Sequence, residues 1–302
     1  MATLPNFVIA GAPKAGTTSL YYYLQQHPDI TFPKLKEPKY FSSIHRTFPQ
    51  RGVGDASIDG FAVKELSEYQ ALYEGMEDIA VRGDASPDYL LYAQETAPSI
   101  REVLGDVPIL ISLRDPVKRA FSSYSNLVRD NRERLTFREG LEKEAERLAD
   151  NWDFMWAYKK GGEYSWQIQP FLDHFSNVKV VLQDDLAADD HGLLKDICEF
   201  LGVDASFAFD TSMQHNPSGK PNNFIARFIL NRDSKVGTAV REVLKAVMPR
   251  SVLEKVASKS LDKLQLDPAD DAYLRAQYTE EIEKLEALIR RDLSAWKPRK
   301  NG

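Results

Sequence analysis

The chain has 302 residues, of which 43% are hydrophobic and 28% are charged, and this is enough for a single domain with one sizeable buried core. The formal net charge of -6 argues against a nucleic-acid-binding surface. A single cysteine, Cys198, excludes an intramolecular disulfide, and the sequence has no Cys/His cluster with metal-ligand spacing, so we expect no metal site.

The first predicted elements are a strand and a helix joined by a glycine-rich turn. Residues 7–10, FVIA, form a short apolar run that is typical of a buried parallel strand, and the turn GAPKAGTTS leads into a helix. Gly11 and Gly16 let the backbone approach an anion, which the helix N-terminus attracts. Thr17 stands where an ATP-type P-loop has lysine, so the turn predicts a phosphate-binding loop of another kind. Its candidate ligands are Lys14, Ala15, Gly16, Thr17, Thr18 and Ser19.

Two candidate general bases follow this helix. Glu37 lies in the sequence KEPKYF, and His45 comes eight residues later. An imidazole suits proton transfer at neutral pH. A glutamate, with an ordinary pKa of about 4.3, is a weaker base unless burial raises its pKa, and Lys36 and Lys39 oppose that rise if they lie close to it.

Polar side chains follow two further predicted strands. The apolar residues 79–81 predict a strand that leaves the sheet through the turn GDASPDY, where Asp84 and Ser86 either bind an acceptor hydroxyl or only form the turn. Residues 108–113, PILISL, predict a buried strand, after which Arg114 emerges at the carboxyl edge of the sheet, where open α/β folds bind ligands. Its guanidinium group can hold a phosphate bidentately, and Ser122, about two helical turns later, can add a donor.

The rest of the chain predicts helices around a parallel sheet. The aromatic sequence NWDFMWAY, residues 151–158, either lines an acceptor pocket or packs in the core. Apolar residues between 274 and 296 repeat every three or four positions, which predicts a helix face docked on the same domain. We therefore predict a three-layer, P-loop-like α/β fold with a central parallel sheet and helices on both faces. Residues 1–302 are expected to form one domain, with an α/β core at 1–221 and a helical section at 222–302.

Several of these motifs resemble the sulfotransferases that use 3′-phosphoadenosine 5′-phosphosulfate (PAPS). The sequence PKAGTT, residues 13–18, is similar to the family's first motif P-K-x-G-T-T, and Arg114 followed eight residues later by Ser122 is similar to its second. GEY at 162–164 and DDL at 184–186 resemble its G-x-Y helix and E-D-L turn. The resemblance implies transfer of a sulfuryl group from PAPS to a hydroxyl on a carbohydrate, glycolipid or other natural product, with release of 3′-phosphoadenosine 5′-phosphate (PAP).

The resemblance also implies roles for single residues. Lys14 would contact the bridging oxygen of the phosphosulfate, and Arg114 and Ser122 would hold the 3′-phosphate. KEPKYF resembles the K-E-x-x-F-F element of carbohydrate sulfotransferases, which assigns the base to Glu37 rather than His45. Tyr164 would lie beside the adenine or in the core. Ser218, Gly219 and Lys220 would belong to a loop over the 3′-phosphate, although this chain has Gly-Lys where the family has Lys-Gly. Lys36, Asp84 and Ser86 would lie toward the acceptor.

Two other functions are compatible with a phosphate-binding loop: an ATP-dependent P-loop kinase and a non-catalytic nucleotide-binding protein on the same fold. The first predicted strand starts close to the N-terminus, so we expect no signal peptide or membrane anchor. Because eukaryotic Golgi members of the resembled family carry such an anchor, the resemblance then implies a bacterial, cytoplasmic enzyme. The expected partners are the donor and a small-molecule or carbohydrate acceptor. The sequence does not give the oligomeric state or the identity of the acceptor.

Overall fold

A parallel sheet of five strands forms the centre of the protein. The computed structural model describes residues 3–212, 220–221, 261–262 and 264–298. The sheet has the order β2-β3-β1-β4-β5, and every neighbouring pair is parallel. Its strands are β1 (Phe7–Gly11), β2 (Ile30–Thr31), β3 (Val81–Ala85), β4 (Ile109–Leu113) and β5 (Val178–Leu182). The strands predicted from the apolar runs at 7–10 and 108–113 are therefore confirmed.

Helices connect and cover these strands. They are α1 (Thr17–Leu24), α2 (Tyr40–Ser43), α3 (Ala56–Asp59), α4 (Leu66–Ala71), α5 (Ala93–Leu104), α6 (Pro116–Arg129), α7 (Phe137–Ala149), α8 (Tyr164–His174), α9 (Gln183–Ala188), α10 (Asp190–Leu201), α11 (Pro268–Gln277) and α12 (Thr279–Ile289). Short 3₁₀ helices cover Pro87–Leu90, Phe154–Trp156, Lys160–Gly162 and Ser294–Trp296, and β6 (Lys220–Pro221) pairs with β7 (Leu261–Asp262) in an antiparallel ladder. Within the described segments, no helix combines the length and the apolar character needed to cross a bilayer.

The two faces of the sheet carry separate apolar layers. Alternate side chains of a strand point to opposite faces, so Phe7 and Ile9 pack with α1 and α10, while Val8 and Ala10 pack with α5, α6 and α8. Helices α11 and α12 add Leu274, Tyr278, Ile282 and Leu285 to this second layer. The predicted three-layer α/β class with a helical C-terminal section is confirmed for these helices; residues 222–260 lie outside the described residues.

The site follows from the direction in which the chain leaves the sheet. After β1 the chain enters α1 on one face, and after the neighbouring strand β4 it enters α6 on the other face. The carboxyl ends of β1 and β4 therefore lie at a topological switch point, where open α/β sheets form a ligand crevice.

One predicted strand boundary is wrong. The strand expected to end at residue 81 begins there and runs to Ala85, so Asp84 lies inside β3 rather than in a turn. A carboxylate is tolerated at this buried position because three hydroxyl groups donate to it, as described below.

Candidate active site

A cavity of about 500 Å³ opens at the carboxyl ends of β1 and β4. The structure brings together nine of the side chains expected from the sequence, namely Lys14, Gly16, Thr17, Thr18, Ser19, Lys36, Glu37, Arg114 and Ser122. The same cavity is lined by Pro13, Lys39, Pro87, Asn126, Arg129, Asp130, Arg132, Asp153, Phe154, Met155 and Gln183. Cationic side chains outnumber carboxylates six to three along this lining, so the cavity is suited to an anionic ligand.

The loop after β1 is held in a defined shape by the strand beside it. Gly16 caps α1 with φ 88°, a left-handed conformation that glycine adopts without steric cost, and Lys14 has φ 70°. The Ser112 hydroxyl donates to the Ala15 carbonyl at 2.6 Å, and Arg114 Nη1 donates to the Lys14 carbonyl at 3.1 Å. The end of β4 thus fixes the loop that lines the cavity at the start of α1.

Lys14 is destabilised as a cation where it stands. Burial, together with the nearby guanidinium groups of Arg129 and Arg114, lowers its pKa to about 8 against the opposing effect of Asp130 and Glu37. The pKa of a lysine in this environment rises when an anion approaches, because the anion favours the protonated amine. The loop therefore combines an anion-binding shape with a lysine that responds to anion binding.

The segment that carries Glu37 is also unusual in its backbone. Glu37 has φ 59° and Lys39 has φ 58°, a conformation that costs a non-glycine residue about 1–3 kcal/mol. The Lys39 N–H donates to Ser86 Oγ at 3.0 Å, which ties the segment to the end of β3. Outliers of this kind concentrate at functional sites, where the surrounding structure holds them in place.

Glu37 is ionised but surrounded by ammonium groups. Lys36 Nζ lies 2.8 Å from Glu37 Oε1 and 3.0 Å from Thr18 Oγ1 at the start of α1. Burial alone raises the pKa of Glu37, but Lys36, Lys39 and Lys14 outweigh it and hold the pKa below its ordinary value. The condition set for a glutamate base, a pKa raised by burial, is therefore not met in this arrangement.

Asp84 and Ser86 do not line the cavity. Both are fully buried. Asp84 accepts hydrogen bonds from the hydroxyls of Ser86 at 2.7 Å, Tyr69 at 2.7 Å and Tyr89 at 2.8 Å, and burial raises its pKa to about 6 against the effect of these bonds. The structure gives this pair a supporting position beneath the Glu37 segment instead of the predicted contact with an acceptor.

Three other predicted site residues also do not line the cavity, namely Ala15, which is fully buried, His45 and Tyr164. His45 is exposed, with Nε2 2.7 Å from the Ser99 hydroxyl. Tyr164 is fully buried, and its hydroxyl donates to the Arg114 carbonyl at 2.8 Å. Tyr164 thus occupies the core position that was its alternative, from where it supports the residue that follows β4.

Three predicted site residues lie in the sequence HNPSGKP, residues 215–221, of which only the backbone of Lys220 and Pro221 is described. Ser218 and Gly219 lie outside the described residues. The backbone of Lys220 begins β6, which lies next to α6, the helix that carries Ser122.

Several lining residues were missed by sequence reasoning, although part of the signal was available. Asn126 and Arg129 lie four and seven residues after Ser122 in α6, and this spacing places all three on one helix face. Phe154 and Met155 line the cavity, whereas Trp156 and Tyr158 are buried. Both interpretations of the aromatic sequence 151–158 therefore hold, each for part of it.

The described residues, 3–212 and 264–298 with the two short strand pairs, include no group of three or more His, Cys, Asp or Glu side chains arranged to hold a metal ion. The site is built from six cationic side chains, hydroxyl groups and three carboxylates. This donor set is suited to hold phosphate or sulfate groups by hydrogen bonds and charge.

Comparisons with known proteins find similar sulfotransferases. A crystal structure of a sulfotransferase from Alicyclobacillus acidocaldarius is 35% identical with a TM-score of 0.78, and the match covers 97% of this chain and 99% of that one. Membrane-associated sulfotransferase kil1 of Dictyostelium discoideum is 36% identical over 121 residues, 40% of this chain and 22% of that protein. Heparan sulfate glucosamine 3-O-sulfotransferase 3A1 of Mus musculus is 27% identical over 207 residues, 66% of this chain and 46% of that protein. The chain thus spans less than half the length of these two curated relatives.

A family model described as "Sulfotransferase family" matches residues 5–207. The match covers well over half of the chain and includes the loop after β1, the Glu37 segment, Arg114 and Ser122. The chain therefore belongs to the sulfotransferase family.

Proposed function

We propose that the protein transfers a sulfuryl group from PAPS to the hydroxyl of an acceptor. The observation that carries this proposal is the convergence of Lys14, Arg114 and Glu37, from three separate segments, on one cation-rich cavity. Lys14 supplies charge at the leaving oxygen, Arg114 with Ser122 recognises a remote phosphate, and Glu37 is the carboxylate available to take a proton. Thr17 after Gly16, where ATP-type loops have lysine, favours this reaction over phosphoryl transfer from ATP.

The proposed step is an in-line displacement at sulfur. Glu37 accepts the proton of the acceptor hydroxyl as the new bond forms between that oxygen and sulfur. The bond between sulfur and the bridging oxygen breaks, and its electron pair stays on the 5′-phosphate of PAP. Lys14 stabilises the negative charge that develops on this oxygen, so its effect is largest in the transition state.

For the acceptor we propose a carbohydrate or a related polyhydroxylated natural product. The name of the mouse relative states a heparan sulfate glucosamine acceptor for that protein. In this chain, Asn126 and Asp153 add hydrogen-bonding groups and Phe154 and Met155 add apolar surface to the cavity, a combination suited to a sugar-like ligand. We further propose that residues 1–302 act as one domain, because α11 and α12 share the core of the sheet.

Replacing Arg114 with alanine should weaken PAP binding about tenfold to a hundredfold. A charge-assisted contact to phosphate is worth about 1.5–3 kcal/mol, and this converts to that range of affinity. Isothermal titration calorimetry with PAP and with adenosine 5′-phosphate, which lacks the 3′-phosphate, measures the effect. The loss should be much larger for PAP than for adenosine 5′-phosphate, whose binding changes only through the contact of Arg114 with the loop after β1.

The parent protein supplies the control for this experiment. PAP should raise its melting temperature and ATP should not, because only a ligand that binds the native state stabilises it. Equal stabilisation by ATP and PAP would contradict the proposed donor. An Arg114→Ala protein that binds PAP as tightly as the parent would contradict the assignment of the 3′-phosphate site.

PAP affinity should fall as the pH rises through about 8. The free protein loses the charge of Lys14 there, since burial lowers its pKa to about 8, while bound phosphate favours the protonated amine. Binding at pH 9 should therefore take up a fraction of a proton, and binding at pH 7 should take up much less. The phosphates of PAP have their second pKa near 6, so their own titration lies below this range.

Calorimetry in buffers with different ionisation enthalpies measures this proton uptake. The Lys14→Met variant is the control, because it has no amine to titrate and should show no uptake at pH 9. The same uptake in the parent and in Lys14→Met would show that another group is responsible.

A further inference from the structure

Lys36 joins the phosphate-binding loop to the candidate base. Its ammonium group donates to Thr18 Oγ1 at 3.0 Å, on the first turn of α1, and to Glu37 Oε1 at 2.8 Å. Both side chains of the ion pair are about one-quarter exposed, at 27% and 26%, and both line the cavity. Because Lys36 hydrogen-bonds to the phosphate-binding loop and to Glu37 at the same time, a ligand that moves its ammonium group also changes the charge beside Glu37.

The position of this ammonium group is electrostatically unusual. The start of α1 carries the positive end of the helix dipole, which disfavours a cation and favours an anion. Glu37 compensates for this, because its carboxylate pairs with Lys36 at the same place. Anionic oxygens bound at the start of α1, next to Thr18, would be a second charged acceptor for the Lys36 ammonium group. They would compete with Glu37 for this ammonium group.

From this geometry, and resting on the proposed function, we propose that Lys36 couples donor binding to the base. Sulfuryl oxygens of the bound donor draw the Lys36 ammonium away from Glu37, and this leaves the carboxylate free to take the proton of the acceptor hydroxyl. Lys36 is thus a positioning residue for Glu37, and the base gains full proton affinity only in the donor complex. No covalent bond changes in this step.

Several charged groups surround Glu37, and an experiment must separate the effect of Lys36 from the effects of the others. Lys36 and Lys39 from its own segment and Lys14 from the loop after β1 lower the pKa of Glu37, and Asp88 beside β3 lies close enough to interact with it. Lys39 differs from Lys36 in its contacts, because its Nζ lies over the Phe154 ring, 4.6 Å from the centroid. Lys39 therefore provides a matched control: it brings the same charge to Glu37 without the link to Thr18.

The experiment measures the pKa of Glu37 by NMR of protein carrying ¹³C-labelled glutamate side chains, with the resonance assigned by its loss in Glu37→Gln. Titrations are run without nucleotide and with saturating PAPS in the absence of acceptor. In the parent, PAPS should raise the pKa of Glu37. In Lys36→Met, the pKa without nucleotide should already be higher by about one pH unit or more, and PAPS should change it by much less.

Lys39→Met should keep the response of the parent to PAPS. Lys36→Gln, which retains a donor but no charge, is a second variant that should behave as Lys36→Met does. The coupling is overturned if PAPS raises the pKa of Glu37 equally in the parent and in Lys36→Met, since the donor charge alone would then explain the rise, or if the parent shows no rise.

Calorimetry with PAPS on the same samples distinguishes failure of the coupling from failure of the proposed function. If the parent binds PAPS and Lys36→Met does not change the response of Glu37, only the coupling is wrong. If the parent does not bind PAPS, the proposed function is wrong and the coupling fails with it.

Discussion

Replacing Glu37 with glutamine should slow sulfuryl transfer by a factor on the order of 10²–10⁴ and leave PAP affinity near that of the parent. The amide keeps the shape and hydrogen-bonding capacity of the side chain but cannot take a proton. Because the pKa of Glu37 is held below its ordinary value, the parent carboxylate is ionised at neutral pH, and in the donor complex it can accept the proton of the acceptor. Single-turnover measurements are required, since product release can hide a slower chemical step.

His45 supplies the control for this prediction. His45→Ala should have a mild effect, because the imidazole is exposed, hydrogen-bonds with Ser99 and does not line the cavity. A Glu37→Gln enzyme with parental single-turnover rates, beside an inactive but folded His45→Ala enzyme, would move the role to His45. Parental rates in both would place the base elsewhere.

Replacing Lys14 with methionine should lower the rate of sulfuryl transfer on the order of 10²–10³-fold, the usual loss when one preorganised donor to a developing oxyanion is removed. Methionine keeps most of the side-chain volume, so the loop braced by Ser112 and Arg114 should keep its shape. PAP binding should weaken much less than the rate, because the charge on the leaving oxygen is greatest during transfer.

Lys34 is the matched control for Lys14. It is an exposed lysine that does not line the cavity, so Lys34→Met should change neither the rate nor the affinity. Unchanged single-turnover rates and unchanged PAP affinity in Lys14→Met would contradict the assignment of the loop after β1 to the phosphosulfate.

The donor half of the site could be predicted because its signals are local. Apolar runs specify β1 and β4, Gly16 marks the turn into α1, and Arg114 follows directly from the end of its strand. Parallel neighbouring strands bring their carboxyl ends together, so the convergence of the two loops required no knowledge of distant contacts.

The acceptor half depends on contacts that no local pattern reports. Asp84 can lie within a buried strand only because Tyr69 and Tyr89, from two other elements, donate their hydroxyls to it. The left-handed backbone of Glu37 and Lys39 likewise depends on Ser86 as a hydrogen-bond partner, and neither residue type favours that conformation on its own. Sequence reasoning therefore assigned the polar residues of β3 to a ligand that they do not face.

The order of the site residues along the chain bears on how the site can change. Lys14, Glu37 and the Asp84 network precede β4 along the chain, whereas Arg114 and Ser122 follow β3. The groups assigned to bond making and breaking are thus encoded in one continuous stretch, and those assigned to the distal phosphate in the next. Because Ser112 and Arg114 from the second stretch hold the loop that carries Lys14 in the first, a substitution that alters the grip on the distal phosphate also acts on the reacting centre, so the two stretches are constrained to change together.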